Sequence, residues 1–83
     1  MAQLKKQQLA ELVRNYRERN GVTQKEVADK LGLLRESISD YERGKSGNVQ
    51  RAKDIINAVN EIRLVKYDDD LLRKQLHTLE RMN

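Results

Sequence analysis

Four polar residues in one short segment have side chains suited to contacts with DNA bases: Arg35, Glu36, Ser39 and Asp40. Arg35 carries a fork of N–H donors that matches the O6 and N7 acceptors of guanine, the commonest specific contact in the major groove. Glu36 can accept a hydrogen bond from cytosine N4, although it repels phosphate, and Ser39 can serve either kind of base. These residue types are therefore chemically suited to contact with base edges.

Other interpretations of these residues stay open. The alternative for Arg35 is an ordinary solvated arginine, and Glu36 or Asp40 can instead space the helix or pair with Arg43 or Arg35. Arg43 and Lys45 lie beyond the segment, where a positive charge follows the phosphate backbone and carries no sequence information.

Two short helices joined by a tight turn are predicted to hold these side chains in place. Thr23 and Glu26 form a T-x-x-E capping box, a strong start signal for a helix. That helix ends at Gly32, and the next spans about Arg35 to Glu42, followed by Gly44. The residues predicted to be buried where the two helices cross are small or apolar, namely Val27, Ala28, Leu31, Ile38 and Tyr41.

Further helices are predicted on both sides of this pair. The first runs from near Leu4 to Arg19, with apolar residues at helical spacing at Leu9, Leu12, Val13 and Tyr16. Asn20 and Gly21 end it, because both residues tolerate the left-handed conformation. A fourth helix is capped by Asn48, ends near Asn60, and buries Ala52, Ile55, Ile56 and Val59.

The stretches TQKEVADKLG (23–32) and SISDYERGK (37–45), with their flanking helices, resemble the lambda-repressor-like (Cro/cI-type, xenobiotic-response-element) helix-turn-helix domains. The resemblance covers roughly residues 7–60. It implies an all-α, five-helix or nearly five-helix DNA-binding domain, usually dimeric, that represses or activates transcription at palindromic operators. By position it implies base contacts by Arg35, Glu36, Ser39 and Asp40, and phosphate contacts by Thr23, Gln24, Arg43, Lys45 and Ser46.

Two positions qualify this resemblance. Gln24 matches the family's glutamine at the start of the second helix, which touches a phosphate and buttresses the recognition helix. Leu34 stands where the family often has serine or threonine as the cap of the recognition helix. The missing cap costs about 0.5–2 kcal/mol if nothing replaces it.

The C-terminal part shows a different pattern. Residues 61–67 are rich in β-branched and aromatic residues, and Ile62 and Leu64 alternate with charged neighbours. They predict a short β-strand that pairs with the same strand of a second subunit, with a continuing helix or a loop as the alternative. Asp68–Asp70 then precede a C-terminal helix with an apolar side. The residues predicted to carry dimerisation are Ile62, Leu64, Val65, Tyr67, Leu72 and Leu76.

Composition narrows the class of protein. The 83 residues allow one small domain, which we divide into a DNA-binding part (1–60) and an extension (61–83). There is no cysteine and His77 is the only histidine, so neither a metal site nor a cofactor is predicted. No apolar run could span a bilayer, and the N-terminus is not a secretion signal, so a cytoplasmic location is expected. The net charge is +4 and the estimated pI is about 9.6, which suits a polyanionic partner.

The sequence therefore predicts a homodimeric transcription regulator of double-stranded DNA, most simply a repressor, and no enzyme. An alternative function is the antitoxin of a toxin–antitoxin pair, which binds a toxin protein and regulates its own operon. The chain's small size and the segment EIRLVKYDDD (61–70) resemble HipB-type antitoxins, which dimerise through such a strand.

Overall fold

The computed structural model describes the backbone of residues 5–81 and the side chains of residues 5–66 and 71–76. Over this range the chain forms four helices, α1 (Lys6–Arg19), α2 (Gln24–Leu31), α3 (Arg35–Glu42) and α4 (Val49–Arg81). The all-α prediction is confirmed, and the bounds of α3 agree with the sequence pattern. Leu4, the expected start of the first helix, lies outside the described residues.

The core lies where α1, α2, α3 and the first part of α4 meet. Its largest fully buried side chains are Val13, Val27, Ile38, Ile55 and Val59. Tyr16, Leu31 and Ile62 pack partly buried against this cluster. Leu12 was predicted to belong to the buried stripe of α1, but 47% of its surface is exposed. Burying Leu9, Ala10, Val13 and Arg17 turns the inner face of α1 away from Leu12.

The turn between α2 and α3 depends on two small residues. Ala28 is only 1% exposed, so α2 approaches its neighbours closely at this position. Gly32 ends α2 in the left-handed region with φ of 69° and ψ of 33°, where a side chain would be strained. Leu33 then donates its backbone N–H to Ala28 O at 2.8 Å. The predicted helix-turn-helix geometry is therefore present.

The predicted β-strand at residues 61–67 is wrong, because α4 continues through this segment as a helix. Asn60 does not end the helix, because α4 runs on to Arg81. The side chain of Asn60 accepts a hydrogen bond from the Tyr16 hydroxyl. Val59, Ile62 and Lys66 recur at helical spacing on the side of α4 that faces the other helices. Lys66 Nζ donates to Gly21 O at 3.1 Å and to Glu26 Oε1 at 3.0 Å.

The same helix changes the predicted number of elements. The resemblance implied about five helices, and the residue pattern predicted a strand and a further helix beyond residue 60. Instead, the predicted fourth helix, the strand segment and the C-terminal segment as far as Arg81 form one helix, α4, of 33 residues. Asn48 begins this helix as predicted, because its Oδ1 accepts from Arg51 N at 3.1 Å. Within the described range, none of the helices combines the length and apolar character needed to cross a membrane.

Candidate nucleic-acid interface

The candidate base-reading residues share the outer side of α3. Ile38, Tyr41 and Glu42 are buried, which fixes the opposite side of the helix against the core. Glu36 is exposed, and Ser39 and Asp40 are partly exposed on that outer side. Arg35 is also exposed, but helical geometry places it at the edge of this surface, towards α2.

A chain of hydrogen bonds connects Arg35 to the interior. Its Nη1 donates to Gln24 Oε1 at 3.4 Å, and Gln24 Nε2 donates to Glu42 Oε1 at 3.1 Å. Glu42 in turn accepts two bonds from Arg17, from Nε at 2.6 Å and from Nη2 at 2.8 Å. Gln24 thus supports the start of α3 by a direct side-chain network.

Arg17 and Glu42 form a buried ion pair behind α3 that the sequence reasoning missed. They are 8% and 4% exposed, and Arg17 Nη1 also donates to the carbonyl of Val22 at 2.9 Å. The hydrogen bond from Arg17 to Glu42 is the largest cause that raises the pKa of Arg17 above its ordinary value. The sequence held a signal for this pair. Arg17 follows buried Val13 by four residues and Glu42 follows buried Ile38 by four residues, so two opposite charges lie on the buried sides of their helices.

The carboxylate of Asp40 is close to two positively charged side chains. Arg43 donates to Asp40 Oδ1 at 2.5 Å, and Lys45 Nζ lies 3.4 Å from the same oxygen. The hydrogen bond from Arg43, with the charge of Lys45, holds the pKa of Asp40 below its ordinary value. This ion pair is one of the alternatives that the sequence left open, and it gathers two candidate phosphate-binding residues at the end of α3.

The start of α2 is the second cluster of candidate phosphate contacts. Thr23 Oγ1 accepts from Glu26 N at 3.0 Å, and Glu26 Oε1 accepts from Thr23 N at 3.0 Å, which confirms the capping box. The cap uses an acceptor site of the Thr23 hydroxyl, so its proton is available for donation to an anion. Hydrogen bonds from Lys66 and then from the Thr23 backbone lower the pKa of Glu26.

An open groove connects this cluster with α3. Its lining residues come from the end of α1, the start of α2 and the first residue of α3, namely Arg17, Glu18, Gly21, Val22, Thr23, Gln24, Lys25 and Arg35. Helix N-termini attract anions, since their unpaired N–H groups and their dipole are positive. The groove therefore lies beside α3 at a positive helix N-terminus.

The loop after α3 carries Ser46, the last candidate phosphate contact. It is exposed, and its Oγ accepts from Asn48 N at 3.3 Å. The Tyr41 hydroxyl donates to the Asn48 carbonyl at 2.7 Å, which ties this loop to the buried side of α3. Burial raises the pKa of Tyr41 above its ordinary value.

The candidate dimerisation residues lie on α4, apart from this surface. Leu64, Val65, Leu72 and Leu76 are each at least half exposed, whereas Ile62 packs partly buried against the core. The side chain of Tyr67 lies outside the described residues. Within the described part of the chain, His, Cys, Asp and Glu side chains form no group of three or more that could hold a metal ion.

The arrangement of α2 and α3 agrees with comparisons against known proteins. A family model described as a helix-turn-helix domain matches residues 8–60, more than half of the chain. This range agrees with the resemblance seen in the sequence. No curated protein matches the chain. No solved structure matches it either. With α2 and α3 forming the motif within the matched range, the chain belongs to the helix-turn-helix domain family.

Proposed function

We propose that the protein is a sequence-specific transcription regulator, and that it acts in the cytoplasm as a homodimeric repressor of a palindromic operator. The observation that carries this proposal is the outward polar side of α3, with Glu36, Ser39 and Asp40 on a helix anchored by buried Ile38 and Tyr41. A helix held in this way can enter the major groove as a rigid unit.

Base contacts are assigned to Arg35, Glu36, Ser39 and Asp40. Arg35 reads guanine, because its exposed guanidinium needs to release only a 3.4 Å contact with Gln24 to turn towards the bases. Glu36 is exposed and accepts from cytosine N4. Asp40 is less available for base contact than Arg35 or Glu36, because its carboxylate already accepts a hydrogen bond from Arg43.

Phosphate contacts are assigned to two clusters on either side of α3. Thr23 and Gln24 lie at the N-terminus of α2, where the helix dipole favours an anion. Arg43, Lys45 and Ser46 lie after α3, all three with exposed side chains. Contacts of this type fix the orientation of the protein on DNA without reading its sequence.

A dimer supplies the second recognition helix. Two-fold symmetry would place two half-sites about 34 Å apart, one helical turn of DNA. An interface on α4 is supported by four exposed apolar residues, Leu64, Val65, Leu72 and Leu76. Ile62, which is partly buried, borders it. We retain Tyr67 in the proposed interface from the sequence.

The alternative function, an antitoxin that binds a toxin protein, stays a prediction. The strand that carried the likeness to HipB-type antitoxins is replaced by helix at residues 61–67. No other feature of the described residues favours a toxin as partner over a second copy of the chain.

Selection of bound sequences from a randomised DNA pool tests the proposed function. We expect an enriched palindrome with two half-sites. Arg35→Ala should lose about 1–3 kcal/mol of binding and relax the preference at one position of each half-site. Arg14→Ala is the matched control, because it removes one exposed positive charge from α1. Absence of any enriched sequence, or equal effects of the two substitutions on base preference, would contradict the assignment.

A further inference from the structure

The end of α4 extends away from the rest of the molecule. Lys66 joins α4 to the rest of the fold through its hydrogen bonds to Gly21, in the turn after α1, and to Glu26 in α2. The following residues, 67–81, remain helical, and we call them the arm. The arm is about 22 Å long at 1.5 Å per residue. It accounts for the elongated shape of the molecule, whose extents are 61 × 28 × 16 Å.

The apolar residues of this region are about half exposed in the described part of the chain. Leu64, Val65, Leu71, Leu72 and Leu76 are 44–59% exposed. At 100° per residue, the mean direction of these five residues lies about two-fifths of a turn around the helix from the side of α4 that carries buried Ile55 and Val59. The apolar side of the arm is therefore not a continuation of the surface that packs on α1 and α2. We call these five residues the arm face.

The charges along the arm are separated by sign. Its first residues include three consecutive carboxylates, Asp68–Asp70, whereas its second part carries Arg73, Lys74 and Arg81 against one carboxylate, Glu80. If two arms lie antiparallel with the two-fold axis between Leu71 and Leu72, Asp69 and Asp70 of each arm lie level with Lys74 and Arg73 of the other. A parallel pair in register would instead place the three aspartates of both copies side by side, which is unfavourable.

We propose that the arm face binds the arm face of a second copy, with the two arms antiparallel. This inference rests on the proposed function, which requires a dimer with its interface on α4, and adds how the two copies pair and in which orientation. The same patch is used on both subunits, as a two-fold interface requires. Apolar burial supplies the association, and the separated charges select the antiparallel orientation.

Sedimentation velocity of the full chain without DNA tests the surface. The parent should sediment as a dimer at micromolar concentration. Leu72→Gln/Leu76→Gln should sediment as a monomer and keep a cooperative thermal transition, because residues 5–66 hold the core. Lys53→Gln/Asn57→Gln is the control, since both residues are exposed on α4 away from the arm. A monomeric parent, or a dimeric Leu72→Gln/Leu76→Gln variant, would overturn the proposal.

Charge reversal tests the orientation. Arg73→Glu/Lys74→Glu should weaken dimerisation by about tenfold or more, because acidic residues would then lie beside Asp68–Asp70 of the other copy. Adding Asp69→Lys/Asp70→Lys to the same chain should restore it. Circular dichroism of each sample separates lost pairing from lost helix. Unchanged dimerisation of the first variant at unchanged helix content would overturn the antiparallel orientation.

A separate titration distinguishes failure of this inference from failure of the proposed function. Leu72→Gln/Leu76→Gln should bind a DNA half-site as the parent does, but bind the full palindrome at least about tenfold more weakly, because the two half-sites are no longer linked. Equal binding of the palindrome by the variant and the parent would overturn the arm interface. A parent that dimerises through the arm but selects no DNA sequence would leave this inference standing and refute the proposed function.

Discussion

Replacing Glu42 with alanine should remove a large part of the stability of this small domain. The substitution leaves the guanidinium of Arg17, 8% exposed, without the carboxylate that accepts its 2.6 Å and 2.8 Å hydrogen bonds. Removing one partner of a buried ion pair typically costs about 3–5 kcal/mol, since the other charge stays buried without compensation. A domain of this size has a total stability of about 4–12 kcal/mol at 0.05–0.15 kcal/mol per residue.

Glu18→Ala provides the matched control. Glu18 also faces Arg17, at 3.7 Å, but its side chain is 59% exposed. Exposed pairs contribute about 0–1 kcal/mol, so this substitution should change stability little. Both variants remove one carboxylate that faces the same arginine, and they differ mainly in burial.

Urea unfolding followed by circular dichroism measures both free energies of unfolding at one protein concentration. Arg17→Met/Glu42→Leu completes the test, because replacing both charges by apolar side chains of similar volume is often neutral or stabilising. The reasoning is refuted if Glu42→Ala costs no more than Glu18→Ala. It is also refuted if the double variant is as unstable as Glu42→Ala.

Three further predictions concern the helix ends. Leu34→Ser should raise the free energy of unfolding by about 0.5–2 kcal/mol in urea titrations, because it supplies the missing cap of α3; Leu34 itself is 72% exposed and contributes little to the core. Gly32→Ala should lower it by about 1–2 kcal/mol, since only the left-handed backbone is strained; a Cβ at Gly32 would meet nothing within 4 Å. The hydrogen bond from Lys66 lowers the pKa of Glu26 in the folded protein. The stability that this carboxylate contributes is therefore fully present above its pKa in the unfolded chain, and it is lost as the pH falls through its pKa in the folded protein. In thermal unfolding at a series of acidic pH values, Glu26→Gln should lose less stability on acidification than the parent protein does. Equal pH dependence of the variant and the parent would contradict this.

The helix-turn-helix could be predicted because local signals and packing agree there. The capping box at Thr23, the left-handed Gly32 and the buried Ile38 each favour the same geometry, so α2 and α3 were placed correctly. The outer side of α3 followed from the same periodicity. Its exposed polar residues lie opposite Ile38 and Tyr41, as the spacing requires.

The C-terminal part could not be predicted from local signals, because β-branched residues in a short segment suit either a strand or a helix. The decisive contacts are distant in sequence. Tyr16 binds the side chain of Asn60, and Lys66 binds Glu26 from 40 residues away. The Arg17–Glu42 pair was missed for a related reason, since two charged residues on separate helices become a pair only when the helices pack.

Fluorescence anisotropy of the parent protein on DNA tests the central claim, that the protein binds DNA in a sequence-specific way, most directly. The titration compares DNA from the protein's own promoter with random DNA at several salt concentrations. The account predicts promoter binding tighter by about a thousandfold or more, with two protomers on each site. Equal binding to both DNAs that weakens steeply with salt would show charge attraction alone and would contradict the account.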